Sequence, residues 1–203
     1  MNKGIYFLNI FKKAEKTYEK NTKRLAGEGW AEHWQTLIAT IMSAQSRDET
    51  TIPVAEKLFA EYNKLEILSN AEYKKILKIF KSLNYNKTKA KNVISAAKFL
   101  IKHYNGKVPD SMEELIKIPG VGRKTANLVL SECHSKDSIT VDTHVHRISN
   151  VLNIVKTKTP EKTELELQKI VPKRYWSRIN RIFVLWGKDA PGKNKKRLLE
   201  KIS

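Results

Sequence analysis

The chain has 203 residues, enough for one large domain or two small lobes. Lysine and arginine number 39 against 21 aspartate and glutamate, a net charge of +18 that asks for a polyanionic partner. No apolar run approaches the ~20 residues that span a bilayer, the N-terminus lacks a secretory apolar region, and Cys133 as the only cysteine excludes a disulfide framework and a cysteine-built metal site.

Helical periodicity runs through nearly the whole sequence. Trp34, Leu37, Ile38, Ile41 and Met42 make one apolar stripe. Pro53 suits a first helical turn and leads into Val54, Ala55, Leu58, Phe59 and Tyr62. Tyr73, Ile76, Leu77, Phe80 and Leu83 follow, then Val93, Ala97, Leu100, Ile101 and Tyr104. Ser111 with Glu114 reads as a capping box. Cys133, one turn beyond Val129 and Leu130, is expected as a small buried core residue. Val145, Ile148, Val151 and Leu152 continue the pattern. Thr159-Pro160 reads as cap and first turn of a helix through Val171, and Ile179, Ile182, Phe183 and Trp186 close the series. Only Ser138 to Val141 suggests a brief extended piece, so the expected fold class is all-α. Short connections are expected at 27–29, 84–87, 105–110, 156–159 and 187–193, and the lysine-rich stretch 188–203 as a solvated or weakly packed end.

The stretch Leu115–Leu130 reads as a helix, a tight glycine hairpin and a second helix. Pro119 and Gly120 stop the first helix, and Gly122 is expected to free the backbone to turn without a Cβ clash. The second helix opens with bare N–H groups, a ready site for a nucleic-acid phosphate. Lys124 falls in its first turn, where the dipole is unfavourable to a cation. An amine so placed beside a DNA backbone suggests covalent chemistry at a sugar carbon. Taken alone, a solvated lysine in a turn is the commoner meaning of such a residue.

Downstream comes Val141-Asp142-Thr143-His144-Val145-His146-Arg147-Ile148. Asp142 directly precedes a helical stripe and reads as an N-cap. A carboxylate fixed there can also take the proton of an attacking amine, or stabilise positive charge at C1′ as a base departs. His144 and His146 point about 200° apart on a helix, a poor metal pair. His144 either assists the site or packs locally. Arg123 and Lys117 are phosphate contacts or solvated side chains.

The run Ile118-Pro119-Gly120-Val121-Gly122-Arg123-Lys124-Thr125-Ala126, followed by Val141 to Arg147, closely resembles the endonuclease III family of helix–hairpin–helix DNA glycosylases and AP lyases. Ser43-Ala44-Gln45-Ser46-Arg47-Asp48 is similar to that family's Ser-Ala-Gln-x-x-Asp segment, and the likeness includes Asn84 to Lys91 and Asn105 to Pro109. It spans about residues 30–187.

The resemblance implies two helical lobes with a DNA-binding cleft between them. One is a six-helix barrel over 26–136 that carries the helix–hairpin–helix at about 111–133. The other combines 1–25 with 137–203. It implies that Lys124 is a Schiff-base lysine, that Asp142 is a catalytic aspartate, and that Gln45 fills the gap left by a flipped nucleotide. Tyr85 falls at the wedge position; Leu83, the other candidate, suits core packing better because it sits in an apolar stripe. Gly120, Val121, Gly122, Arg123 and Thr125 of the hairpin, with His144, are implied DNA contacts. As in similar hairpins, the carbonyls around Ile118, Gly120 and Val121 could hold a monovalent cation.

One departure is large. Most relatives end in four cysteines that hold an iron–sulfur cluster, and here the matching stretch, Gly187 to Lys196, has none. The resemblance therefore implies a branch without the cluster and without a metal cofactor, its second lobe held by apolar packing such as Phe183 and Trp186. Lysines of the tail would take over some phosphate contacts.

The implied activity is a bifunctional glycosylase that removes oxidised pyrimidines from duplex DNA and breaks the strand by β-elimination. The implied partner is double-stranded DNA with damaged bases or abasic sites, bound by a monomer in the cytoplasm or nucleoid, with no membrane. A monofunctional glycosylase for mismatched thymine or adenine is one alternative, but such relatives generally lack the lysine. A non-catalytic helix–hairpin–helix module is the other, and it leaves Lys124, Asp142 and Gln45 together unexplained.

Overall fold

The computed structural model describes residues 2–203, and among these the regular structure is helical with no strand. None of these helices is long and apolar enough to cross a membrane. The chain divides into two compact units, Arg24–Ser135 and Met1–Lys23 together with Lys136–Ser203.

The chain enters through α1 (Lys3–Tyr18), whose first turn is capped by the Asn2 side chain accepting from the N–H groups of Gly4 and Ile5. Its buried residues, Phe7, Ile10, Phe11, Ala14 and Tyr18, recur at three- and four-residue intervals. The Arg24–Ser135 unit then holds α2 (His33–Ser43), α3 (Asp48–Glu61), α4 (Leu65–Ser69), α5 (Tyr73–Ile79), α6 (Asn86–Tyr104), α7 (Met112–Leu115) and α8 (Arg123–His134). Helix α2 is its axis. Nearly every side chain from Trp34 to Met42 is buried, and α3, α6 and α8 all pack on it. Pro53 lies inside α3 rather than in its first turn, because that helix already begins at Asp48.

The other unit adds α9 (Thr143–Val151), α10 (Pro160–Ile170), α11 (Trp176–Asp189) and α12 (Lys195–Glu200) to α1. Both α1 and α9 pack on α11. Its core carries Phe7, Phe11, Phe183 and Trp186, with Phe183 and Trp186 edge to face at 5.5 Å between ring centres. Ser138 to Val141 is buried but joins no ladder; Asn180 Nδ2 donates to the Thr140 carbonyl at 3.2 Å.

Two expectations fail in this unit. Gly187 is no linker, because α11 continues to Asp189. The C-terminal stretch is not a loose end either. Asn194 caps α12 by accepting from Arg197 N–H at 3.1 Å, Leu198 and Ile202 are buried, and Trp186 Nε1 donates to the Leu198 carbonyl at 3.0 Å. The Tyr18 hydroxyl donates to Asp189 at 2.8 Å, and Lys201 pairs with the same carboxylate at 3.2 Å. Apolar residues spaced four apart among the lysines are what fold this segment back.

Candidate functional site

The hairpin is built from the core outward. Ser111 caps α7 by accepting from Glu114 N–H at 3.3 Å. The chain leaves the helix after Leu115, and Val121 N–H closes the turn onto the Ile118 carbonyl at 3.0 Å. Ile118 and Val121 are buried and anchor the loop, while Gly120, Gly122, Arg123 and Lys124 are exposed at its rim. Thr125 is buried just behind them.

The two glycines do different work from that expected. Gly120 carries the left-handed backbone, with φ at +84°, and a Cβ there would sit 2.9 Å from Asn92 Cβ. Gly122 is extended at φ −99° and ψ 178°, and a Cβ on it would meet nothing within 4 Å. The turn therefore depends on Gly120. Gly122 instead stands as the N-cap of α8 with no side chain to occupy the first N–H groups. Open N–H groups at the positive end of a 12-residue helix form an anion site. Lys124 stands exposed in that first turn.

A second exposed feature lies in the same unit. Gln45 and Tyr85 are both non-glycine residues in the left-handed region, at φ 53° and 54°, each at a cost of about 1–2 kcal/mol. A polar bracket holds them there. Asn84 Nδ2 donates to the Gln45 carbonyl at 2.7 Å, Asn84 N–H donates to Ser46 Oγ at 3.2 Å, and Lys89 Nζ donates to Ser46 Oγ at 2.7 Å. Tyr85 is 65% exposed, whereas Leu83 is 4% exposed and sits in the core. Lys89 is a residue that sequence pattern does not single out. It is only 4% exposed, and burial pushes its amine down to about 8. A lysine inside a run of lysines reads as solvated, and only the fold reveals otherwise.

Asp142 lies in the other unit, half-buried at the start of α9, where its Oδ1 accepts from Val145 N–H at 2.9 Å. The cap fixes the carboxylate and leaves its second oxygen over for other work. Further along α9, Arg147 donates to the carbonyls of Gly187 at 2.9 Å and Ala190 at 3.1 Å, and also to that of Gly192. Burial lowers the Arg147 pKa and the nearby Asp142 charge opposes that shift. The absence of a Cβ at Gly187 makes room for the His144 ring and the Arg147 guanidinium against α11. His144 is thus packed on a helix. His146 bonds Thr163 Oγ1 at 2.6 Å, and among the described residues no cluster of three or more His, Cys, Asp or Glu could hold a metal ion.

The residues present do not fit a four-thiolate cluster. Gly187 to Lys196 offers no thiol, and Cys133 belongs to the other unit. Cys133 is half-buried rather than fully buried, with its Sγ donating to the His33 carbonyl at 3.8 Å and its thiol pushed up to about 11 by burial. The Arg147 clamp on three carbonyls and the α12 contacts hold the stretch instead.

The HhH-GPD superfamily model, described as base excision DNA repair protein, matches residues 38–173. Endonuclease III of Thermotoga maritima is 43% identical over 155 residues, which span 76% of this chain and 73% of that protein. The chain belongs to the endonuclease III family of the HhH-GPD superfamily. A solved endonuclease III–DNA complex, a trapped covalent intermediate with an estranged adenine, superposes with a TM-score of 0.85 at 30% identity and covers 91% of this chain and 86% of its own. A thermostable thymine-DNA glycosylase shares the fold with a TM-score of 0.78 at 18% identity, covering 95% of this chain and 89% of its own. The hairpin, Gln45, Tyr85 and Asp142 described above all fall inside the span matched by the superfamily model.

Proposed function

We propose that this endonuclease III family enzyme is a DNA glycosylase with AP lyase activity that excises oxidised pyrimidines through a Schiff base on Lys124. The observation that carries the assignment is an exposed amine in the first turn of a helix whose N–H groups no side chain occupies, in a chain similar to an endonuclease III captured covalently on DNA.

Double-stranded DNA binds with a phosphate on the N–H groups of Gly122, Arg123 and Lys124. Gln45 and Tyr85 occupy the duplex where the damaged nucleotide leaves the stack, a step that costs a few kcal/mol and least for a damaged base. The Lys124 nitrogen bonds to C1′ and gives up a proton, and Asp142 is the carboxylate proposed for this chemistry. The C1′–N bond breaks and the base leaves with the electron pair. The sugar then opens to an iminium, which acidifies the C2′ proton. Loss of that proton expels the 3′ phosphate and nicks the strand, and water frees Lys124 from the remaining imine. No step uses a redox centre or a divalent metal. The enzyme acts as a monomer in the cytoplasm. At the hairpin, the Ile118 carbonyl keeps a second lone pair beyond its bond from Val121, which supports a monovalent cation there. A monofunctional mismatch glycosylase or a non-catalytic module would leave the Lys124 amine without a task.

The test is a duplex carrying one oxidised pyrimidine, with base release and strand breakage followed together. Release and nicking in one time course support the proposal. Release with an intact strand means a monofunctional enzyme, and neither product means a binding module.

A further inference from the structure

The Arg24–Ser135 unit carries an open groove of about 370 Å³ lined by Lys74, Leu77, Lys78, Lys81, Asn86 and Lys87. Four of these six residues are lysines, and among the described residues no acidic side chain lines the groove. None of the four is held in a salt bridge among the described residues. The nearest carboxylate along the chain, Glu72, is paired with Lys75 at 3.0 Å. Four uncompensated cations around one concavity repel each other, and a bound polyanion relieves that cost more fully than diffuse counterions do.

Position adds a second argument. Asn86 and Lys87 of the groove directly follow Tyr85, the most exposed large hydrophobic side chain among the described residues. The groove is therefore continuous with the loop proposed to enter the duplex. Spacing agrees as well. Lys74 and Lys78 lie one turn apart on α5, a rise of ~6 Å, so both ammonium groups can serve one strand. The half-buried Leu77 in the lining offers no polar group to read a base edge, which suits a backbone contact rather than base readout.

We infer that Lys74, Lys78, Lys81 and Lys87 form a phosphate track for the duplex flanking the lesion, extending the DNA interface beyond the hairpin. This rests on the DNA-repair reading above. The track binds without regard to sequence and lengthens the footprint on one side of Tyr85.

The experiment compares the wild type with K74Q/K78Q/K81Q/K87Q and with a charge-matched control in and just after α1, K12Q/K13Q/K16Q/K20Q. Binding to a ~30-base-pair duplex with a central abasic analogue is measured across a salt series. Each phosphate contact contributes about 0.9 to the log–log slope, so the groove variant, which removes four, should lose about 3–4 from the slope and the control less than about 1. Equal losses in the two variants, or no loss in either, overturn the track while wild-type binding stays steep. A wild type that does not bind the duplex overturns the broader reading as well, and that outcome is visible before any variant is compared.

Discussion

Replacing Gly120 and Gly122 separately by alanine distinguishes the residue that folds the hairpin from the residue that leaves room for its ligand. At Gly120 the new side chain would hold φ +84° and place Cβ 2.9 Å from Asn92 Cβ and 3.0 Å from Asn92 Nδ2. The left-handed conformation costs about 1–2 kcal/mol, and moving Asn92, near the start of the long helix α6, adds about 1–2 kcal/mol of overpacking. Gly120→Ala should therefore destabilise by about 2–4 kcal/mol in urea titrations. At Gly122 the backbone is extended and a Cβ meets nothing within 4 Å. Only the poorer N-cap matters there, about 0.5–1 kcal/mol. Yet Gly122 is the exposed N-cap residue of α8, where the backbone is proposed to receive a phosphate, so Gly122→Ala should weaken duplex binding well beyond its small effect on stability. Equal stability losses at the two positions, or a Gly122→Ala protein with undiminished DNA affinity, would refute the division of labour between them.

Other outcomes follow from single groups. The Lys89 amine sits near 8 in the folded protein against an ordinary 10.5, so the unfolded chain binds more protons between those values and stability contributed through Lys89 rises with pH across that window. Relative to Lys89→Met, wild type should gain about 1–2 kcal/mol between pH 7.5 and 10.5, after discounting for water near the amine; a pH-independent difference would show the amine to be solvated. Asp142→Asn should keep the α9 cap and DNA affinity but slow base release by about 100-fold or more, and a variant that excises at the native rate would remove Asp142 from the chemistry. Cys133→Ala should excise at the native rate, and purified protein should be colourless; stoichiometric iron would require thiolates shared between chains.

The apolar stripes of α2, α6 and α11 are legible in sequence because each buries residues at helical spacing, and hydrophobic burial is what the spacing encodes. The same signal was present for α1 in Phe7, Ile10, Phe11 and Ala14, and for α12 and the turn after it in Leu198 and Ile202, but the lysines among them mask it. The hairpin is legible as a turn, whereas which glycine bears the positive φ is not. Gly120 and Gly122 flank one valine, and the distinction comes from Asn92, distant in sequence. The bracket of Asn84, Ser46 and Lys89 is tertiary throughout, so no local pattern announces it. Gly187 resembles a helix stop for the same reason: its partners, His144 and Arg147, lie on another helix.

The central claim is that Lys124 is the nucleophile, and borohydride reduction on a duplex with one oxidised pyrimidine tests it most directly. Wild type should form a covalent protein–DNA adduct, and peptide mapping should place the modification on Lys124. Lys124→Ala should form none while still binding the duplex, because the hairpin N–H groups remain in place. An adduct formed by Lys124→Ala at the wild-type rate, or one mapped to any other residue, would contradict the account.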